Sequence, residues 1–401
     1  MNAPVAVVVD TFPRWSERFI ARELQELRRR GVELAIFALA RGKLPPGDDP
    51  EWTGLLDRVR VLPSIPSPRT VAAALKAVPA LRTKAARERL TLVQKALGPR
   101  GVLRCARAHV LTAFLKECGA RHVHAHFASL PSTIAWIAAQ ESHLPWSLSV
   151  HARDLFVEAQ LLSEKARDAR AIFACHEGAF ARLKLLGGLG KRAVLMPHGL
   201  PLDRFPQRAV RPTERREHAT LLAAGRFVGK KGFHDLLAAL SLPALAKRKL
   251  RLSLFGDGPE RAKLLKEIEH RGLGSKVLLH PPQSGTRFVQ ELAGADCFVA
   301  PYRPQADGDR DGVPNIVLEA FALGVPVVGT DVGGLPEVLN AQTGFPAVAG
   351  APESLATAIA ACLDAPAEAA RRSAAARALI DDRYDIRKNI EPLYHTLTAP
   401  K

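Results

Sequence analysis

Residues 311–330 read DGVPNIVLEAFALGVPVVGT and give the clearest indication of the fold. The apolar spacing predicts a helix over Asn315–Leu323, and the run Val325–Thr330 predicts a buried strand. The same alternation of strand and helix precedes this stretch. The strands predicted there are Thr220–Ala224, Leu250–Phe255, Val277–His280 and Cys297–Ala300. Strands that alternate with helices predict a mainly parallel sheet covered on both faces.

The first half of the chain shows the same alternation. Its predicted strands are Val5–Val9, Val32–Leu39, His122–Phe127, Pro145–Val150, Ala171–Cys175 and Ala193–Met196. Residues 201–218 are polar and contain proline, which is typical of a linker. A length of 401 residues suits two domains. We therefore predict an α/β fold with two Rossmann-like, doubly wound domains, 1–200 and 201–382, and a last helical segment, about 383–401, that returns to the first domain.

The composition excludes several classes of protein. Hydrophobic residues make up 47% of the chain and aromatic residues 6%, which is unlike a disordered or fibrous protein. The five cysteines never have the CxxC spacing, which argues against a disulfide framework and a zinc site. No basic region precedes the apolar run Val5–Val9, so we expect a strand there and no signal peptide. We expect a cytoplasmic protein.

The net charge of +17 predicts attraction to polyanions. Lys and Arg are concentrated between Arg82 and Arg121, where few acidic residues occur. This stretch is either a solvated helical face or a patch that holds the protein peripherally on the anionic inner membrane. A nucleic-acid-binding protein is a third interpretation, but the aromatic residues are too sparse for a stacking platform, so we expect no nucleic-acid partner.

The loops after the strands of the second domain contain the residues suited to chemistry. In open parallel sheets, ligands bind outside the carboxyl ends of the strands. Asp311 and Glu319 flank a helix start whose backbone N–H groups, in the loop Gly312, Val313, Pro314 and Asn315, suit phosphate or sugar oxygens. Glu319 lies among apolar residues, where a carboxylate needs a partner. Asp311 is either a helix cap or a ligand of sugar hydroxyls.

Two cations follow the strand Thr220–Ala224. Arg226 and Lys231 lie in one loop, where both can approach a diphosphate whose charge increases as it leaves. The alternative is two ordinary exposed loop cations. Gly256, after the next strand, can border a base or ribose, although the GDGP sequence by itself indicates only a tight turn.

Histidines follow two strands of the first domain. We assign His124 a structural role, whereas His126 and His151 are candidates for the site, His151 together with Arg153. No third residue is spaced to complete a metal site with His124 and His126, so we predict no metal. The sequence has no GxGxxG after its first strand, no GxxxxGK[ST] and no GxSxG, which argues against a dinucleotide dehydrogenase, a P-loop protein and a serine hydrolase.

Taken together, the motifs resemble those of the retaining glycosyltransferases of family 4, which have the GT-B fold. The similar segments are Met196–Leu200 with Asp203–Phe205, Gly225–Phe227 with Lys230–Phe233, Phe255–Pro259, Asp311–Ala320, Gly324–Val328 and Gly333–Glu337. Phe12-Pro13, Ser16–Ile20 and Asp309–Pro314 are similar to the exopolysaccharide, colanic-acid-type branch. Two departures are Asp311 where the family's E-x7-E motif has Glu, and the absence of a Gly-Gly pair after the first strand.

The resemblance implies a role for each candidate residue. Arg226 and Lys231 would hold the donor diphosphate, Glu319 the ribose, and Asp311 with the Gly312–Asn315 backbone the donor sugar. His151 would lie near the reacting carbon. The acceptor side would include Ser16, Glu17, His126 and Arg153.

The resemblance also implies an activity. It implies metal-independent, retaining transfer from a UDP- or GDP-sugar to a saccharide or polyprenyl-diphosphate-linked acceptor, with no cofactor besides the donor, in exopolysaccharide, capsule or lipopolysaccharide synthesis. A nucleotide-sugar epimerase and a catalytically inactive binding homologue remain the alternatives.

Overall fold

The structure, a computed structural model, describes residues 3–44, 49–64, 68, 83–206, 217–309 and 311–400. The described part of the chain forms two parallel sheets. The first has seven strands in the order β3-β2-β1-β4-β5-β6-β7. They are β1 Val5–Phe12, β2 Leu34–Arg41, β3 Val59–Val61, β4 His122–His126, β5 Trp146–Val150, β6 Ala171–Ala174 and β7 Ala193–Leu195. The predicted parallel α/β architecture is confirmed.

The helices of the first domain cover both faces of this sheet. They are α1 Arg18–Arg29, α2 Lys84–Cys105, α3 Arg107–Glu117, α4 Leu130–Glu141, α5 Arg153–Phe156, α6 Leu162–Asp168 and α7 Glu177–Lys184. In β1, Val5, Val7 and Val9 pack in one core, and Ala6 and Val8 pack in the other. Both faces are buried because helices cover both sides of a parallel sheet, which explains the continuous apolar run.

The second sheet has the order β10-β9-β8-β11-β12-β13 among the described residues. Its strands are β8 Ala219–Ala224, β9 Leu250–Phe255, β10 Val277–His280, β11 Cys297–Ala300, β12 Val327–Thr330 and β13 Phe345–Ala347. Its helices are α8 Phe233–Leu240, α9 Pro243–Ala246, α10 Arg261–His270, α11 Gly285–Gly294, α12 Asn315–Ala322, α13 Pro352–Asp364 and α14 Pro366–Arg383.

One local prediction needs correction, and two others fall mainly outside the described residues. The single helix predicted over Gly101–Cys118 is divided at Ala106, and its first part continues back to Lys84 through a kink. Gly98 has a φ of 65° there, and Pro99 has no N–H to donate, so the regular helix is interrupted. Most of the Pro-containing stretch before Lys84 and residues 207–216 of the predicted linker lie outside the described residues.

The chain's last helices pack on the first domain, as predicted. They are α15 Ile386–Asn389 and α16 Glu391–Thr398. Ile390, Leu393 and Leu397 are each 1% exposed and join the core that contains Val5 and Phe19. At the crossing, Leu200 and the 384–386 segment exchange backbone hydrogen bonds. A Cβ at Gly199 would lie 2.3 Å from the Ile386 Cα, so only glycine allows this approach.

Lys165, in α6, is completely buried in the first domain. Its Nζ donates to the carbonyl oxygens of Ala128 and Ser129 and to the Ser132 hydroxyl, at 2.9–3.2 Å. Burial lowers the pKa of Lys165 to about 7. The unfolded chain therefore binds a proton at this residue between pH 7 and about 10.5 that the folded protein lacks. The free energy of unfolding must then rise with pH across that window.

We expect Lys165→Met to remove that pH dependence. In the parent chain, titration of Lys165 should raise the free energy of unfolding by at most about 5 kcal/mol between pH about 7 and about 10. Urea unfolding at both pH values measures it in each variant. Lys191→Met, at an exposed position in the same domain, is the matched control. Identical pH profiles for Lys165→Met and the parent chain would contradict the prediction.

Candidate active site

A cleft of about 660 Å³ lies between the carboxyl ends of the two sheets. Loops from both domains line it because every strand of each sheet runs in the same direction and ends at the same edge. The predicted residues that line the cleft are Ser16, Glu17, His151, Arg153, Arg226, Lys231, Asp311, Gly312, Val313, Pro314, Asn315 and Glu319. Residues far apart in the sequence therefore share one cavity.

Two lysines hold the Asp311 carboxylate on the second-domain wall. Lys231 Nζ lies 2.5 Å from one carboxylate oxygen, and Lys230 Nζ lies 3.1 Å from the other. Burial alone would raise the pKa of Asp311, but the two ammonium groups outweigh it and lower the pKa to about 2. Asp311 is therefore an anion at neutral pH. Sequence reasoning omitted Lys230, although its position beside Lys231 was visible.

Arg226 is an exposed cation that lines the cleft. Glu17 is the carboxylate that acts on it electrostatically, and no salt bridge joins Arg226 to a carboxylate among the described residues. Lys231 lines the same cavity from the other end of the loop. Its Nζ lies over the face of the Tyr302 ring, 4.3 Å from the ring centroid. The loop thus presents positive charge that is not fully neutralised, which suits an anionic ligand.

Glu319 is buried and bonded to the other domain. Its Oε1 accepts from Arg22 Nη2 at 2.5 Å, and Arg18 lies 3.9 Å from its Oε2. Arg22 also binds Glu51 at 2.6 Å. The prediction that Glu319 is not freely solvated is confirmed, since the residue is 3% exposed. The partner Arg22 was not predicted. Arg18 and Arg22 are four residues apart on α1, so one helical face presents both.

Two further contacts join the domains beside the cleft. Arg153 donates to Asp309 at 2.8 Å and to Glu158 at 2.6 Å. The Glu337 carboxylate lies 3.2 Å from His176 Nδ1 and accepts from the backbone N–H groups that begin α7. Carboxylates near a helix N-terminus are stabilised by its partial positive charge. The domains are thus held together around the cleft.

His151 lies on the first-domain wall and contacts two aromatic rings. The centroids of Phe19 and Phe127 are 4.8 and 4.5 Å from that of its imidazole. Burial and neighbouring histidines lower the pKa of His151 well below its ordinary value, so the ring is neutral. A neutral imidazole has one donor and one acceptor nitrogen, and Nδ1 has no hydrogen-bond partner among the described residues.

Two of the predicted residues do not line the cleft. His126 is completely buried below His151, with 3.5 Å between their nearest ring nitrogens. It is covered by the cleft wall, so its position gives no direct contact with an acceptor. Gly256 lies behind the Arg226 loop, where an added Cβ would be 2.0 Å from the Gly225 carbonyl oxygen. Its position serves the close packing of the two loops. His124, bonded to Ser147 and Ser149, is buried as a structural residue.

A cluster that sequence spacing did not indicate lies in the same cleft. The ligand atoms of His151, Cys175 and His198 all lie within 4.8 Å of one another. These residues follow the adjacent strands β5, β6 and β7, so the sheet order brings them together. The prediction of no metal site considered only spacing along the chain, which cannot show such a cluster.

The chain is similar in sequence to proteins of known family. Residues 218–365 match the model of the family described as glycosyl transferases group 1. The second domain is a glycosyl transferases group 1 domain. A glycogen synthase of Mycobacterium tuberculosis is 30% identical over 274 residues, which are 65% of this chain and 61% of that protein. The chain thus spans about three-fifths of the length of this relative.

The chain is also similar to a protein of exopolysaccharide synthesis. The putative colanic acid biosynthesis glycosyltransferase WcaL of Salmonella typhimurium is 29% identical over 164 residues, which are 40% of this chain and 39% of that protein. The predicted similarity to glycosyltransferases of family 4, with a colanic-acid-type relative among them, is therefore confirmed.

Solved structures share the complete two-domain fold. Anabaena Alr3699/HepE in complex with UDP superposes with a TM-score of 0.72 at 16% identity, over 99% of this chain and 100% of that one. The sucrose-phosphate synthase of Thermosynechococcus elongatus gives 0.70 at 19% identity, over 99% and 100%. The glycosyl transferases group 1 domain and its partner thus form the predicted GT-B fold. No helix of the described chain is long and apolar enough to cross a membrane.

Proposed function

We propose that the protein is a retaining glycosyltransferase that moves a sugar from a UDP- or GDP-sugar to a saccharide or lipid-linked acceptor in polysaccharide synthesis. The observation that carries the proposal is one cleft with Arg226, Lys231, Asp311 and Glu319 on one wall and His151 on the other. Its relatives include glycosyltransferases of polysaccharide synthesis, and the HepE structure contains UDP.

The donor would bind along the second-domain wall. A diphosphate gains negative charge as the glycosidic bond breaks, and fixed cations stabilise this charge most in the transition state. Arg226 and Lys231 supply them, with Lys230 behind. These side chains neutralise the leaving group where other enzymes use a metal, so we propose that transfer is metal-independent. Asp311 and the Gly312–Asn315 backbone would bind the donor sugar, and Glu319 the ribose.

The acceptor would enter from the first-domain wall. The neutral imidazole of His151 offers a hydrogen bond to a sugar hydroxyl without placing a second positive charge near the oxocarbenium-like centre. Ser16, Glu17 and Arg153 line that side of the cavity. Front-face transfer would let the departing phosphate oxygen take the acceptor proton, so no covalent nucleophile is needed. Positioning of donor and acceptor and electrostatic stabilisation of the transition state would accelerate the transfer.

A donor screen tests the proposal. A ligand present at about 100 times its Kd stabilises the folded state by about 2.7 kcal/mol, so thermal unfolding with UDP, GDP, ADP and their sugars identifies the nucleotide. Sugar transfer is then measured with the selected donor, and NMR of the product gives its anomeric configuration. An epimerase would convert the donor sugar without an acceptor, and an inactive homologue would bind without turnover. Absence of affinity for every nucleotide would refute the proposal.

We also propose peripheral attachment to an anionic membrane through α2. Lys84, Arg87 and Lys95 are exposed on this helix. Each basic residue near an anionic surface contributes about 1 kcal/mol, so changing all three to Glu should greatly reduce co-sedimentation with vesicles containing phosphatidylglycerol. The same change at the exposed residues Lys247, Arg251 and Lys263 of the second domain is the control. Equal sedimentation of both variants would show that α2 is only a solvated face.

A further inference from the structure

Glu319, the carboxylate proposed to bind the donor ribose, is held by the other domain. Its Oε1 accepts from Arg22 Nη2 at 2.5 Å, and Arg22 Nε donates to Glu51 at 2.6 Å. Of these three residues, only Glu319 lines the cleft within the described chain. We propose that Arg22 and Glu51 are positioning residues that orient Glu319 and thereby determine recognition of the donor ribose. This inference rests on the proposed function.

Glu51 fixes the guanidinium of Arg22. Its Oε1 accepts from Arg22, and its Oε2 accepts from Arg18 Nε at 2.8 Å, so each carboxylate oxygen holds one arginine. Burial by itself would raise the pKa of Glu51, but the two arginines outweigh it and lower the pKa, so Glu51 is an anion at neutral pH. The Arg22 guanidinium also lies over the Phe205 ring, with Cζ 5.5 Å from the centroid. Arg22 therefore presents Nη2 to Glu319 from a fixed position.

The second carboxylate oxygen of Glu319 can accept from a ligand. Arg18 Nη1 is 3.9 Å from this Oε2, which is beyond hydrogen-bond distance. A carboxylate has about four lone-pair sites, so the bond to Arg22 leaves acceptors for the two adjacent hydroxyls of a ribose. The furanose ring holds those hydroxyls at a fixed spacing, so the carboxylate must keep one orientation to accept from both. An orientation set in advance avoids the entropic cost of immobilising the Glu319 side chain when the nucleotide binds.

The arrangement makes a contact of the second domain depend on the first. Glu319 lies on α12, and Arg22 lies on α1, 297 positions earlier. Both arginines that form ion pairs with Glu319 in the described chain, Arg18 and Arg22, belong to α1. The side chains of Arg22 and Glu319 are 1% and 4% exposed, so water does not replace this contact. Glu319 is therefore oriented only while the two domains are docked.

Calorimetric titration of the full chain with ribose and deoxyribose nucleotides tests the proposal. The probes are UDP and GDP with their 2′-deoxy and 3′-deoxy analogues, and the ribose preference is the Kd of an analogue divided by the Kd of its parent nucleotide. A hydrogen bond to a charged group changes affinity by about 10–100-fold, so the parent chain should show a preference of that size. Arg22→Met should bring the preference close to unity. Arg22→Lys keeps the charge without the planar fork that joins two carboxylates, so it should retain part of it.

The ribose preference separates positioning from stability. Both nucleotides of a pair bind the same fraction of competent protein, so a loss of stability weakens both affinities equally and leaves their ratio unchanged. Glu51→Gln leaves Arg22 and Glu319 in place and should also lower the preference, which keeps the test available if Arg22→Met does not fold. Arg30→Met is the matched control. Arg30 lies next to the end of the same helix and binds Glu26 and Glu391, and it should leave the preference unchanged.

The possible results distinguish this proposal from the proposed function. A ribose preference that survives both Arg22→Met and Glu51→Gln would overturn the positioning role, and the proposed transfer would stand. A parent chain that binds each nucleotide and its deoxy analogues equally would overturn it too, because there would be no recognition of the ribose to position. A parent chain without affinity for any nucleotide would refute the proposed function itself.

Discussion

A Lys231→Met variant is expected to transfer sugar about 10²–10³-fold more slowly than the parent chain, a loss typical of removing one group that stabilises charge in a transition state. Lys231 lines the cleft and binds Asp311 at 2.5 Å. Its loss removes a cation from the diphosphate position and one of the two ammonium partners of Asp311. Lys230 remains 3.1 Å from that carboxylate, so Asp311 stays ionised and the variant should fold. Initial rates at saturating donor measure the loss.

Two comparisons separate chemistry from binding and folding. Lys231→Arg keeps the charge but changes the geometry, so it should recover part of the rate. Lys247→Met removes an exposed lysine of the same domain and should leave the rate unchanged. Donor affinity, taken from the shift in thermal unfolding, should fall less than kcat if Lys231 acts mainly on the leaving group. A normal rate in Lys231→Met would exclude the proposed role of this lysine.

Arg22→Met is expected to lower the free energy of unfolding by about 3–5 kcal/mol, the usual consequence of removing one partner of a buried ion pair. Arg22 binds Glu319 and Glu51, and the side chains of all three are at most 4% exposed. The substitution leaves two buried carboxylates with Arg18 as their remaining cation. All four tryptophans, Trp15, Trp52, Trp136 and Trp146, lie in the first domain, so their fluorescence during urea unfolding reports on that domain.

Arg58→Met is the matched control for charge and size. Arg58 pairs with Glu33 at the surface, where both side chains are at least one-third exposed, so its loss should change stability by less than about 1 kcal/mol. Combining Arg22→Met with Glu319→Gln removes one of the buried carboxylate charges that has lost its Arg22 partner. The double variant should therefore recover part of the lost free energy of unfolding. Equal effects of Arg22→Met and Arg58→Met would show that the contact between the domains does not contribute to stability.

Strand ends were predictable from the sequence, and with them the positions of several residues that line the cavity. Arg226 and His151 come directly after short apolar runs, and Asp311 lies in the loop that follows the strand Cys297–Ala300. Parallel strands bring such residues to one edge. Arg22 was not predictable in this way, because its partner Glu319 is 297 positions away and is brought near only by the docking of two domains. Cys175 was not predicted for a related reason. Its neighbours in space, His151 and His198, follow the adjacent strands and are distant from it in the sequence.

His126 shows the limit of periodicity. Alternation along a strand places His124 and His126 on the same face, and their ring centroids are 4.9 Å apart. Periodicity does not show which faces are covered, and in a sheet packed on both sides even the last residue of a strand is buried. His151 covers His126 and is the residue that lines the cleft.

The return of the chain's last helices also affects the order in which the protein is completed during synthesis. Ile390, Leu393 and Leu397 complete an apolar core whose first members, Val5, Val7 and Val9, leave the ribosome hundreds of residues earlier. Domains generally fold as units in the order of synthesis. Here the N-terminal unit must wait with an uncovered apolar surface until the second domain has been made, so this interval is when the nascent chain most needs protection by a chaperone.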